Sequence, residues 1–395
     1  MTVVLEQVTV SHAVVGVNVT DKMAQIRRLW TDGTVARPVT VQGAASLVLV
    51  DSTLGGSGPI AIDNRNGSQL FVRNVTVTAA TAVAEPASQL PGPHVDQFVH
   101  HSQTSAFANA PASTPFAADE IRAVPEIPPI AATEWTVFDT TACGVHNGTE
   151  VLQAVIDSGV TNLWLSAPYP DPPNGTKVGC GVSQLVLRGK LRRLHGGWNG
   201  LGSSLYKDAP AGLMGLRVDT MAHGEPVLIE GLTHVPGVQQ NGTNALVLRQ
   251  VMCDHPQGTC FANTWGAATG DVFTEAFQGG SGVVGGNNLS KFGVGPTLQV
   301  NAGGRVWAVA LDFEGTQRHI RVDGGSLLAL GSKLGEIQGV PTVYAAGGRV
   351  EMLGGVWNGG MITGSPTIVV NESEVAFVGW TVRFYSANAS SGGRT

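Results

Sequence analysis

Short apolar runs recur along the chain at nearly constant intervals, each alternating with polar residues in strand rhythm. Near the start, four such units begin at Val4, Gln25, Val48 and Phe71, which are 21, 23 and 23 residues apart. Their second positions are all apolar (Leu5, Ile26, Leu49 and Val72), and their fifth positions are Val8, Leu29, Ser52 and Val75. A second ladder begins at Gly304, Gly325, Gly348 and Ser373, with spacings of 21, 23 and 25 residues. A strand of its own precedes each of these units, at Thr297–Val300, His319–Val322, Thr342–Ala345 and Thr367–Val370.

A repeat of this length is one turn of a solenoid. Alone, a coil of two or three short strands cannot bury its inward side chains. Stacked at ~4.8 Å, coils pair their backbone groups with the neighbours above and below and line up a continuous apolar interior. The expected fold class is therefore all-β, a right-handed parallel β-helix. The glycines opening the late rungs are expected to occupy a recurrent corner with positive φ. A leucine-rich repeat shares the period but needs an asparagine ladder that the chain lacks.

Between the ladders the pattern breaks. From about residue 83 to 134 the chain is rich in Ala and Pro, as in Pro111–Pro115 and Pro125–Pro129. Because proline cannot donate to a ladder, this stretch reads as a linker or wrapping arm. Further on, Val151, Leu152, Val155 and Ile156 mark one face of a short helix, with Asn147 as a candidate cap and Ser158-Gly159 as the stop. Such a helix would close the exposed end of a β-helix. Residues 1–82 thus read as the C-terminal coils of a first β-helix and 135–395 as a second.

Composition narrows the class. Formal net charge is −6 with no basic stripe, which argues against nucleic acid as a partner. No apolar run reaches the ~18–20 residues of a membrane span. Nine Asn-x-Ser/Thr sequons occur, at Asn18, Asn66, Asn74, Asn147, Asn174, Asn241, Asn288, Asn371 and Asn388, against roughly two or three by chance. They point to a secreted glycoprotein of the cell surface or wall. The chain opens directly in strand rhythm without a leader pattern, so secretion implies residues upstream of Met1 and a first ladder that continues there. The four cysteines fit two disulfides, Cys143 with Cys180 and Cys253 with Cys260, although three pairings are open. No cofactor or metal is expected; His94, His100 and His101 read as surface or packing residues.

At Val151–Gly159, Thr161–Leu165 and Leu185–Leu194 the chain resembles the pectate-lyase-like superfamily of single-stranded right-handed β-helices. Two tandem β-helices joined by a Pro-containing segment are similar, more narrowly, to family 55 β-1,3-glucanases, as are Leu330–Lys333 and Glu351–Gly355. The resemblance implies polysaccharide as partner and, for an active member, glycoside hydrolysis. The turn His146-Asn147-Gly148-Thr149 departs from the paired aspartates usual in that family.

Glycoside cleavage needs a carboxylic acid and a second carboxylate ~5–10 Å apart. Asp312 and Glu314 lie in one strand, and Glu336 follows Glu314 by 22 residues, about one coil. Glu275 is a further candidate. Trp265, Trp307 and Trp357 are candidate sugar-stacking residues. Lyase chemistry would draw on Asp254-His255 and on Arg318, His319 and Arg321, without the aspartate cluster that calcium needs. Three functions are thus expected in decreasing order: a structural or glycan-binding β-helix, able to self-associate through its open ends; a hydrolase of the β-1,3-glucanase type; and a polysaccharide lyase.

Overall fold

The computed structural model describes residues 2–100 apart from 87, residues 122 and 124–140, and residues 148–384. Within the last stretch it leaves out 167–181, 197–213, 233–234, 236, 254–258, 265–268, 281–295, 315–318, 336–340 and 360–366. The chain is a right-handed parallel β-solenoid of about 12 turns, with one α-helix among the described residues. Its strands fall into two pairs of sheets, one built from residues 2–100 and one from 136–384.

In the first pair, Thr2–Val10, Met23–Thr31, Ser46–Leu54 and Gln69–Val77 stack in parallel, opposite Val15–Thr20, Arg37–Gln42, Ile60–Asp63 and Thr81–Ala84. The register follows the sequence repeat: Val4, Gln25, Val48 and Phe71 stand in one column, and Leu5, Ile26, Leu49 and Val72 in the next. The second column points inward, where Ile26, Leu49 and Val72 are fully buried. Burying each such side chain stabilises the fold by about 1.5–3 kcal/mol. Ser52 fits the interior because its hydroxyl donates to Val50 O (2.8 Å) and accepts from the Leu29 amide of the rung below (3.1 Å).

Parallel stacking ends after Thr81–Ala84. Gln89–Pro91 and His94–His100 return antiparallel onto the last rungs, so the stretch expected to be linker from residue 83 begins with an edge hairpin. Reversing direction lets a chain too proline-rich for a further coil still cover the open edge. His100 pairs there with Glu85 (2.8 Å) and His94 with Asp96 (3.3 Å).

The second pair runs from Thr136–Asp139 through ten stacked strands to Glu374–Phe384, opposite eight from Leu185–Gly189 to Ile368–Asn371. The helix Gly148–Asp157 seats Leu152 and Ile156 in the core, and Gly159 ends it with φ of 89°. Val151 stays 36% exposed. The Gln153 carboxamide donates to Val186 O (3.0 Å) and accepts from Val186 N–H (2.9 Å). One side chain thereby stands in for the strand missing at the edge of this sheet. Cys253 and Cys260 form a disulfide; Cys143 and Cys180 lie outside the described residues.

Both solenoids bend their long strands at a residue with positive φ. The bend falls at Gln7, Arg28, Asp51 and Asn74 in the first, and at Gly231, Gln250, Ala276, Ala310, Gly331, Gly354 and Gly379 in the second. A second positive-φ corner falls at Gly303, Gly324, Gly347 and Glu372, one residue before the positions where the repeat places it. Gly325 and Gly348 themselves are needed for close approach: a Cβ on Gly348 would lie 2.8 Å from Gly325 O, and one on Gly325 2.9 Å from Gly304 O.

The outer faces of the two solenoids pack together. Val48, Val50 and Phe71 join Leu328, Leu330, Leu353 and Val378 in an apolar seam, into which Val124 and Ile127 of the arm also pack. Glycine at the late bends has a reason beyond φ. A Cβ on Gly331 would meet Val4 at 2.4 Å, one on Gly354 would meet Gln25 at 2.2 Å, and one on Gly379 would meet Val48 at 3.0 Å. Rung therefore faces rung across the seam. Within it, Arg73 reaches Glu351 with both Nη atoms (2.6 and 3.3 Å), and both side chains are about 97% buried or more.

Candidate functional site

One outward column of the second solenoid can be followed rung by rung. It runs Val137, Trp164, His195, Glu230, Arg249, Glu275, Val309, Leu330, Leu353, Val378. The last four residues are apolar and buried where the first solenoid lies over them. The column from Val137 to Glu275 is left open: Val137 is 62% exposed and Trp164 38%, and the side chains of Glu230, Arg249 and Glu275 retain 25–35%. Five rung steps of ~4.8 Å give it a length of about 24 Å.

The chemistry of the open segment is graded. Trp135, Trp164 and His195 form an aromatic group at one end, with ring centroids 5.0–5.9 Å apart. Arg249 follows, bonded to Glu275 (2.6 Å) and 4.0 Å from Glu230. Beyond Glu275 stands the first rung of the first solenoid. There Glu6 faces Arg27 (3.5 Å) and Arg28 (3.7 Å), and Asp51 lies 3.8 Å from Arg27. Burial pushes the Glu6 carboxyl above the usual range against the pull of Arg27 and Arg28, and the charges of Glu275 and Asp51 add to the rise. Burial likewise lowers Arg27. Both Glu6 oxygens, Arg27 Nε and Asp51 Oδ2 are buried without a hydrogen-bond partner. Such a concentration of unsatisfied polar atoms marks a place where water or a ligand group completes the network.

The arm flanks this column. Arg27 donates to Arg122 O (2.7 Å) and Arg193 to Pro128 O, and Asn162 donates to Glu134 O (3.2 Å). Arg193 is only 8% exposed because it anchors this segment.

The residues singled out from sequence are dispersed. Asp312 pairs with Lys333 (3.4 Å), while Glu314 ends the strand Arg305–Glu314 with its side chain outside the described residues. Glu336 and Trp265 also lie outside them. Trp307 is buried in the seam, stacked on Phe273 (5.3 Å) and flanked by Arg122 and Arg305. Trp357 lies inside the second solenoid, in the core. His319 is wholly buried, with Nε2 donating to Gly335 O (2.8 Å), and burial pushes its imidazole down to about 4. Arg321 bonds Asp323 (2.5 Å). Asp254, His255 and Arg318 also lie outside the described residues, and among the candidates that are described Glu275 alone stands on the open column.

Asn18, Asn66, Asn74, Asn241 and Asn371 are exposed, and none is on the column; the other four sequons lie outside the described residues. Among the described residues no group of His, Cys, Asp or Glu is arranged to hold a metal ion, and no helix is long and apolar enough to cross a membrane.

Fold and column together define a parallel β-helix with a linear surface track. No protein-family model matches the chain, and neither a curated protein nor a solved structure is significantly similar to it.

Proposed function

We propose that this chain is an extracellular, glycan-binding β-helix glycoprotein that holds one polysaccharide strand along the column from Val137 to Glu275. The observation that carries this reading is the register itself. It sets Val137, the exposed Trp164 ring and the partly exposed His195, and then hydrogen-bonding charged groups, at one residue per rung along about 24 Å. An extended pyranose chain advances by a similar distance per sugar, so successive sugars can meet successive rungs. Trp135 and Trp164 offer apolar ring surface to sugar C–H faces, and Arg249, Glu230 and Glu275 offer donors and acceptors to hydroxyls. Exposed sequons outside the track support a secreted chain that carries its own glycans without blocking it.

A second reading is glycoside hydrolysis of the β-1,3-glucanase type, which the resemblance to family 55 favours. Its specific support is Glu6, a carboxyl with a raised proton affinity beside the end of the track and within the field of Glu275. A carboxyl with raised proton affinity beside a second carboxyl group is the pairing that glycosidic cleavage uses.

Retention of the full chain on immobilised β-glucans and uronic-acid polymers, with reducing ends assayed in parallel, separates the two readings. Retention without release is expected. Release from one polymer, lost in Glu6→Gln and Glu275→Gln but kept in Asp312→Asn, would establish the second reading instead. Neither retention nor release would overturn both.

A further inference from the structure

Beyond the bend at Gln7, Arg28, Asp51 and Asn74, the long strands of the first solenoid turn a further face outward. Its column runs Thr9, Trp30, Thr53, Thr76 in register, and all four residues are exposed. The Trp30 indole stands 46% exposed between two threonines. Past Thr76 the edge hairpin adds His94, whose Nδ1 lies 3.2 Å from the Thr76 hydroxyl. A single surface aromatic is ordinary; this one is set apart by the sequon beside it. Asn74 heads Asn74-Val75-Thr76 and is exposed, and its Nδ2 donates to Asp51 Oδ1 one rung away (2.8 Å). That bond turns the carboxamide along the stack, toward the rung of Thr53 and, one further, that of Trp30. Two rungs and two residues separate Asn74 from Trp30, ~12 Å between Cα atoms by strand geometry.

We infer that Asn74 carries an N-linked glycan whose first sugars lie over Thr53 and stack on Trp30. This rests on the reading of the chain as a secreted glycoprotein. The transfer joins Asn74 Nδ2 to the anomeric carbon of a lipid-linked sugar. The departing lipid diphosphate takes the bonding pair, and Nδ2 releases one of its two hydrogens as a proton. The other hydrogen remains to hold Asp51 Oδ1, so the attached sugar keeps the direction the carboxamide already has. Two linked pyranoses cover about two rung steps, ~10 Å, which brings the second sugar over the indole. There the ring face of Trp30 meets sugar C–H groups, and the Thr53 hydroxyl meets their polar edges. Asn241 offers a comparison within the same chain. Its Nδ2 likewise donates to a carboxylate one rung away, Asp219 Oδ1 (2.9 Å). The column beside it, however, presents Arg217, Gln239 and Ala262 where the first solenoid presents an aromatic ring.

The test is site-resolved. The full chain is expressed through a eukaryotic secretory pathway and its glycopeptides are mapped by mass spectrometry. The folded protein is then treated with an endoglycosidase that cuts between the first two sugars. Asn74 should be occupied. Its glycan should be released about fivefold faster from Trp30→Thr, which matches the neighbours in its column, than from the wild type. Trp30→Tyr, which keeps a ring, should retain most of the protection. Release at other occupied sequons, such as Asn241, should be the same in all three proteins. Equal release at Asn74 from the wild type and Trp30→Thr would overturn the inference. So would an unmodified Asn74 in a chain glycosylated elsewhere, and that result would leave the secreted reading standing. A secreted-pathway chain with no sequon occupied would overturn both.

Discussion

His319 shows how a single buried group sets a pH limit on this fold. Its imidazole is held neutral to about pH 4, whereas in an unfolded chain it titrates near 6.5. Above 6.5 both states are neutral and the residue adds no pH dependence. From 6.5 down to 4 only the unfolded state takes up the proton, so stability falls, by roughly 3 kcal/mol once pH 4 is passed. Urea unfolding from pH 7 to 4 should lose that share of its slope in His319→Gln; an unchanged slope would contradict the assignment. Gly354 is a second such residue. It combines a φ of 67° with an approach to Gln25 so close that a Cβ would stand 2.2 Å from its Cγ. Gly354→Ala should therefore destabilise by about 2–4 kcal/mol, against about 1 kcal/mol for Gly189→Ala, where φ is also positive but nothing lies within 4 Å. In a Gln25→Ala background the cost of Gly354→Ala should fall to about that of Gly189→Ala, because only the clash is then removed. Equal effects at both glycines would refute close approach as the cause.

Elements were legible in the chain where coils are short and regular. The columns Leu5, Ile26, Leu49, Val72 and Arg305, Ser326, Arg349, Glu374 fall where the repeat places them, since adjacent rungs differ by only two residues in length. The functional column was not legible, for the same reason reversed. Trp164, His195, Glu230, Arg249 and Glu275 are separated by 31, 35, 19 and 26 residues, so no single period links them. Glu6 and Glu275 lie on different solenoids, and no local pattern announces that the charge of one reaches the other. The helix Gly148–Asp157 was readable from its apolar face, but the use of Gln153 as a strand surrogate was not, because it depends on where the edge of Leu185–Gly189 falls. Gln153→Ala should cost about 1–3 kcal/mol and leave the Val186 amide and carbonyl unpaired. Light scattering should then show increased self-association through that edge; an equally stable, monodisperse variant would contradict the capping role.

Across the whole molecule, the two solenoids are held rung against rung by an apolar seam with one ion pair buried inside it. Removing one partner strands a charge in that seam, so Glu351→Gln should destabilise by about 3–5 kcal/mol, whereas Arg73→Met with Glu351→Leu should stay close to the wild type. Chemical denaturation of the three proteins checks this, and equal losses would show that the seam does not exclude water. The same docking divides the outer column into a covered apolar half and an open aromatic and charged half, and the proposed function rests on that division. The most direct measurement is the affinity of the full chain for glucan oligosaccharides of increasing length, beside Trp164→Ala and Arg249→Gln. Affinity should rise with each added sugar until the chain spans about 24 Å and then level off, and both substitutions should weaken the long oligosaccharides more than the short ones. Affinity independent of length, or unchanged in both variants, would contradict a track along the solenoid.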